Sequence, residues 1–183
     1  MINRSFLKKK TISIAAKVFF LSVVFFSFNA NAATTEKDLQ VIARAAAFTE
    51  GLAKGELKAA VVYDAGSASS KADADGIAAI MGGGLSASGV TLKPVVMSSG
   101  SLGGLAGVNI VIVASDSAAV HGSVFSAAGN KLTVSTDMSC VKSAKCVMGV
   151  ASDPKVEIVV NRNAASGAGV SFAQAFRMMI SEI

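Results

Sequence analysis

Val108 to Val113 (Val-Asn-Ile-Val-Ile-Val) holds one polar residue, Asn109, in six, and it constrains the fold more than any other stretch. A strand with one face in water alternates apolar and polar residues. A nearly unbroken β-branched run predicts a strand covered on both faces, at the centre of a largely parallel sheet. Other segments read in the same way. Leu57 to Tyr63 and Leu132 to Ser135 are strand-like, and so is Val90 to Met97, where Pro94 lacks a ladder donor and argues for a sheet edge.

Helical patterns fall between these strands. Glu36 to Leu52 carries Leu39, Ile42, Ala46 and Ala47 near helical spacing, with Gly51 close to its end. Asp64-Ala65-Gly66-Ser67 turns the first strand into a helix from about Ser70 to Leu85, frayed by Gly82-Gly83-Gly84. Ser115 or Asp116 is expected to cap a helix from Ser117 to about Ala128. Late in the chain Cys146 to Ala151 and Lys155 to Val160 form a hairpin around Ser152-Asp153-Pro154. Asn161 to Gly169 is a connection or short helix. Ser171 is expected to cap a closing helix, its core stripe formed by Phe172, Phe176, Met179 and Ile180. The expected fold is α/β: three layers, a largely parallel sheet of about four strands, a C-terminal antiparallel hairpin and a closing helix.

The N-terminus reads as an export signal. Arg4, Lys8, Lys9, Lys10 and Lys17 precede the apolar run Val18 to Phe26, and Ala30-Asn31-Ala32 has the small-x-small pattern of a cleavage site. A membrane anchor is the alternative, but nine apolar-run residues fall well short of the ~20 that span a bilayer. Cleavage after Ala32 leaves residues 33–183, the size of one domain, in the periplasm. Five of the seventeen Lys and Arg precede residue 33 and all twelve acidic residues follow it, so the remainder is formally neutral. That balance, without a basic cluster, excludes nucleic acid and anionic membrane as partners. Six of the ten Phe also precede residue 33, so the core must be built mainly from Ala, Val, Ile, Leu and Met.

Cys140 and Cys146 are the only cysteines. Redox or metal chemistry is one reading, but the spacing is not CxxC and two sulfurs with one distant His do not make a zinc site. A disulfide across a short loop is favoured in an exported chain.

In a parallel sheet, ligands bind beyond the carboxyl ends of the strands. Those ends carry Asp64 and Ser67, Ser98 and Ser101, Ser115 and Asp116, and Asp137, which are the candidate ligand-binding residues. Small hydroxyls and exposed amides there can hold a polar or anionic group, although turns and helix caps require the same residue types. No Walker A, GxGxxG or GxSxG sequence is present. His121, the only histidine, lies inside a predicted helix, and Asp73 and Asp75 sit two apart and do not share a helical face. The sequence therefore offers no catalytic residue, no metal site and no cofactor, and points away from an enzyme.

Lys58-Ala-Ala-Val-Val-Tyr63, Val108-Asn-Ile-Val-Ile-Val113, Leu132-Thr-Val-Ser135, and a tail of Val156-Glu-Ile-Val-Val-Asn161, Ala164-Ala165 and Gly169-Val170-Ser171 carry a resemblance. In these segments and their order the chain resembles the YfiR-like family of small exported proteins. The resemblance implies a periplasmic regulator that binds the periplasmic part of an inner-membrane diguanylate cyclase and restrains it, so influencing cyclic-di-GMP. The alternative is a periplasmic small-solute-binding protein that uses the strand-end loops.

Overall fold

A computed structural model describes residues 33–183, so the expected export signal, residues 1–32, lies outside the described residues. The first element, α1 (Glu36–Ala47), is capped by Thr35. Its hydroxyl accepts from the Asp38 amide at 3.2 Å, and the Asp38 carboxylate accepts from the Thr35 amide at 2.9 Å. This reciprocal pairing satisfies amides that have no partner within the helix. Leu39, Ile42, Ala43 and Ala46 are fully buried along one face. The helix stops at Phe48, short of Leu52, because Thr49 and Glu50 pair with Phe172 and Ser171 instead.

The remaining elements are β1 (Gly55–Tyr63), α2 (Ala68–Met81), β2 (Leu85–Ala87), β3 (Val90–Ser98), β4 (Ile110–Val113), α3 (His121–Ala128), β5 (Leu132–Ser135), α4 (Met138–Lys142), β6 (Met148–Ala151), β7 (Glu157–Val160), α5 (Arg162–Ala168), α6 (Gln174–Arg177) and β8 (Ser181–Glu182). In space the sheet runs β2-β3-β1-β4-β5-β6-β7-β8. Strands β3, β1, β4, β5 and β6 are parallel to one another. β2 is antiparallel to β3, β7 is antiparallel to β6, and β8 runs parallel to β7. The fold is thus α/β with a mixed, mostly parallel sheet.

The apolar runs are covered on both faces. Leu57, Ala59 and Val61 of β1 pack with Ile110, Ile112, Val134, α1 and α2. Ala60 and Val62 point the other way, into a second core with Val111, Val113, α3 and both cysteines. Successive strand residues alternate between faces, so a continuous apolar run supplies two cores at once. Asn109 is spent at the start of β4, where it brackets Lys58: its amide donates to the Lys58 carbonyl, and its side-chain oxygen accepts from the Lys58 amide, both at 2.8 Å.

Four expectations need correction. The sheet has eight strands, and the late hairpin belongs to it. β2 was hidden behind Gly82-Gly83-Gly84, yet its register covers only Val90 to Leu92 of β3, which leaves Pro94 on an open edge. Neither Ser115 nor Asp116 caps a helix: the Ser115 amide donates to Asp73, Asp116 sits at φ +52°, and a short 3-10 turn, Ala118–Val120, precedes α3. The closing helix is a single turn whose N-cap is Ala173, not Ser171. Phe172 and Phe176 are core as expected, but Met179 is 63% exposed and β8 replaces the rest of the helix. The Ser171 hydroxyl instead donates to the Glu50 carboxylate at 2.7 Å.

Candidate functional site: a crevice at the carboxyl edge of the sheet

β1 and β4 are neighbours, but the chain leaves them in opposite directions. After β1 it crosses through α2 to β3; after β4 it crosses through α3 to β5. Ala74 and Ile77 of α2 pack on one face of the sheet, and Val124 and Ala128 of α3 on the other. The two departing loops therefore diverge and open a crevice between them, the position at which open α/β sheets bind ligands. Buried hydroxyls tie its base together: Ser70 Oγ lies 2.6 Å from Ser117 Oγ and accepts from the Asp64 amide at 3.1 Å.

Residues Ala33 to Thr35 lie across this crevice as a strap. Thr34, 6% exposed, donates its amide to Asp73 Oδ1 at 2.7 Å and its hydroxyl to Asp73 Oδ2 at 3.1 Å. The same Asp73 Oδ2 accepts from the Ser115 amide at 2.7 Å. The Thr34 hydroxyl also lies 2.9 Å from that of Thr136, beyond the end of β5. Asp73 is only 6% exposed, and its three recorded donors are neutral. A hollow of about 260 Å³ lies on one side of the strap, walled by Asp73, Ser115 and Asp116. A second, of about 320 Å³, lies on the other side, walled by Asp38, Thr136, Asp137, Ser152 and Asp153.

Of the residues singled out in the sequence, Ser115, Asp116 and Asp137 line these hollows. The other four line neither hollow, and Asp64 and Ser67 serve the local backbone. Asp64 Oδ1 accepts from the Gly66 amide at 2.8 Å, and Ser67 caps α2 by accepting from the Ser70 amide at 3.1 Å. Ser98 and Ser101 face each other at 3.5 Å beyond β3. Asp137 also has a structural task, capping α4 by accepting from the Ser139 amide at 2.8 Å. Sequence reasoning missed Asp73 and Thr34. Asp73 could have been found by its spacing, since it lies in the stripe Ser70, Asp73, Ala74, Ile77 that α2 buries; a carboxylate in a buried stripe needs specific donors.

His121 is 4% exposed. Burial pushes its imidazole below the usual range, and the Asp137 carboxylate opposes that shift. Its Nε2 has no hydrogen-bond partner and lies 3.9 Å from Asp137 Oδ2. Among the described residues no hydroxyl bonds to this nitrogen. Cys140 and Cys146 form a disulfide with Cα atoms 5.2 Å apart, both buried in the second core. It holds α4 and the following turn, where both the Lys145 and Cys146 amides donate to the Cys140 carbonyl. Gly149 of β6 lets α4 come close: a Cβ there would lie 2.5 Å from Val141 Cγ1. No group of three or more His, Cys, Asp or Glu among the described residues could hold a metal ion. No helix among them is long and apolar enough to cross a membrane.

No family model and no curated protein matches the chain. Solved structures do resemble it. A conserved domain protein from Vibrio cholerae aligns over 83% of this chain and 60% of its own length, at 12% identity and TM-score 0.58. A ligand-free, open substrate-binding protein with adhesive properties from Clostridium difficile aligns over 84% and 60%, at 12% identity and TM-score 0.60. An ABC domain in complex with L-Trp from Streptococcus pneumoniae aligns over 69% and 56%, at 13% identity and TM-score 0.50. The chain therefore spans about 60% of the first of these structures, and at such identities what is shared is the fold.

Proposed function

We propose that this chain is an exported, non-enzymatic binding protein that takes a small polar solute in the carboxyl-edge crevice. One observation carries the reading: the strand-order reversal between β1 and β4 opens onto two adjoining hollows walled by carboxylates and hydroxyls. Their sizes, about 260 and 320 Å³, together reach the range of small-molecule sites. Polar side chains grouped at a concave site give orientation and specificity to a bound solute. Two of the similar structures, described as a substrate-binding protein and as an L-Trp complex, support the reading at the level of fold. Thermal unfolding of the protein against a library of periplasmic metabolites tests it. A true ligand at about a hundred times its Kd adds roughly 2.7 kcal/mol to stability, and Asp116→Ala should weaken that gain. A flat response across a broad library overturns the proposal.

A second reading follows the YfiR-like resemblance: a regulator that docks on the periplasmic part of a membrane diguanylate cyclase. The observation in its favour is an apolar groove lined by Phe48, Val156, Ile158 and Met179, of which Val156 is 50% and Met179 63% exposed. Capture of a cyclase from a membrane fraction, with cyclic-di-GMP rising on deletion, supports it; neither effect overturns it.

A further inference from the structure

We infer that the apolar groove beside α1 is a binding site for a medium-chain alkyl carboxylate, in which Arg44 holds the carboxylate and the groove holds the chain. The inference goes beyond the crevice reading and does not rest on it. Helical spacing places Val41, Arg44 and Phe48 on one stripe of α1 and its C-cap, while Leu39, Ile42, Ala43 and Ala46 fill the main core from the other side. Strand spacing puts Val156, Ile158 and Val160 on one face at β7. Val160 is buried and Val156 is 50% exposed, so along this strand the core runs out into the groove. Phe48 and Phe176, stacked with ring centroids 5.5 Å apart and planes 12° apart, and packed with Phe172, give the groove an aromatic wall. Met179, 63% exposed, completes the lining.

The recess measures about 380 Å³. That is within the range of small-molecule sites, which are lined mainly by apolar side chains with a few polar groups that fix orientation. Here the polar group is Arg44: every other lining residue is apolar, and no Asp or Glu is among them. Its guanidinium has no hydrogen-bond or ion-pair partner among the described residues. The carbonyl end of α1, which a cation in the last turn would otherwise serve, is met by Lys54, whose Nζ donates to the Ala47 carbonyl. A planar fork of donors beside an apolar recess is complementary to a ligand with one carboxylate and one apolar tail. Away from the stacked rings the lining is aliphatic, from Val41, Val156, Ile158 and Met179, which suits an alkyl chain. An ammonium on the same chain would be repelled, and a neutral head group would leave the guanidinium without an anionic acceptor.

Calorimetric titration with octanoate, 1-octanol and octylammonium tests the proposal on protein expressed as the full chain. Octanoate should bind about tenfold more tightly than 1-octanol, the value of one charge-assisted contact, and octylammonium most weakly of the three. Arg44→Gln, at an exposed side chain with no partner to lose, should remove the preference for octanoate and leave the unfolding midpoint in place. Val156→Asp sets a carboxylate in the groove and should abolish octanoate binding, whereas Asp116→Ala, in the crevice, should leave it unchanged. Equal affinities for octanoate and 1-octanol, or an unaltered preference in Arg44→Gln, overturn the role of Arg44. Octanoate binding that Val156→Asp leaves intact, or that Asp116→Ala abolishes, overturns the site. Absence of octanoate binding overturns the inference outright and leaves the groove to the docking reading; none of these results bears on polar solutes in the crevice.

Discussion

Ser70 Oγ and Ser117 Oγ, both fully buried, lie 2.6 Å apart and join the first turn of α2 to the loop after β4 at the point where the strand order reverses. This contact sets the width of the crevice base. Ser70→Ala should cost about 1–3 kcal/mol, because it strands the Asp64 amide and removes the Ser117 partner in a buried site. Urea unfolding measures it, and an unchanged midpoint would mean that water replaces the hydroxyl without loss.

His121 gives the protein a pH dependence whose sign follows from its burial. The folded-state pKa is lowered from the ordinary 6.5, so below that value the unfolded chain takes up a proton that the folded one refuses. Stability from this group is complete above pH 6.5 and falls as the pH drops from there toward the folded-state pKa. In His121→Gln the slope of stability against pH in that window should flatten, as read by chemical denaturation from pH 7 downward. An unaltered slope would assign the acid sensitivity to other groups.

The disulfide closes a short loop, so its contribution is modest. Replacing Cys140 and Cys146 together by Ser or Ala should lower stability by about 2 kcal/mol from chain entropy alone, with Ser worse than Ala because both positions are fully buried in an apolar core. Equal stabilities for the two double variants would contradict the packing described around them.

Gly149→Ala probes how closely α4 sits on β6. The new methyl would overlap Val141 and Met138, at 2.5 and 2.7 Å, and overpacking of this kind costs roughly 1–3 kcal/mol. Because Asp137 caps α4, displacement should also be visible as amide shifts at Thr136 to Ser139. A neutral substitution would show that the helix can move away freely.

Much of the sheet was legible because its strands are nearly pure β-branched runs. Leu132 to Ser135 occurs as read, and the hairpin around Ser152-Asp153-Pro154 pairs as expected. What failed had competing tertiary partners. The stripe Phe172, Phe176, Met179, Ile180 satisfies helical spacing, but Ser181 and Glu182 add to β7 instead, and Phe176 stacks on Phe48 at 5.5 Å between ring centroids. The candidate site was half legible. Ser115, Asp116 and Asp137 were found by the rule that places ligands at strand ends, whereas Thr34 was not. Its role depends on contacts with Asp73 and Thr136, 39 and 102 residues away, which no local pattern encodes.

Binding of solute in the carboxyl-edge crevice can be located by amide shift mapping with a stabilising polar solute. The predicted result is a cluster of the largest changes at Thr34, Asp73, Ser115, Asp116, Thr136 and Asp137. Changes concentrated instead around Phe48, Val156, Ile158 and Met179 would contradict it.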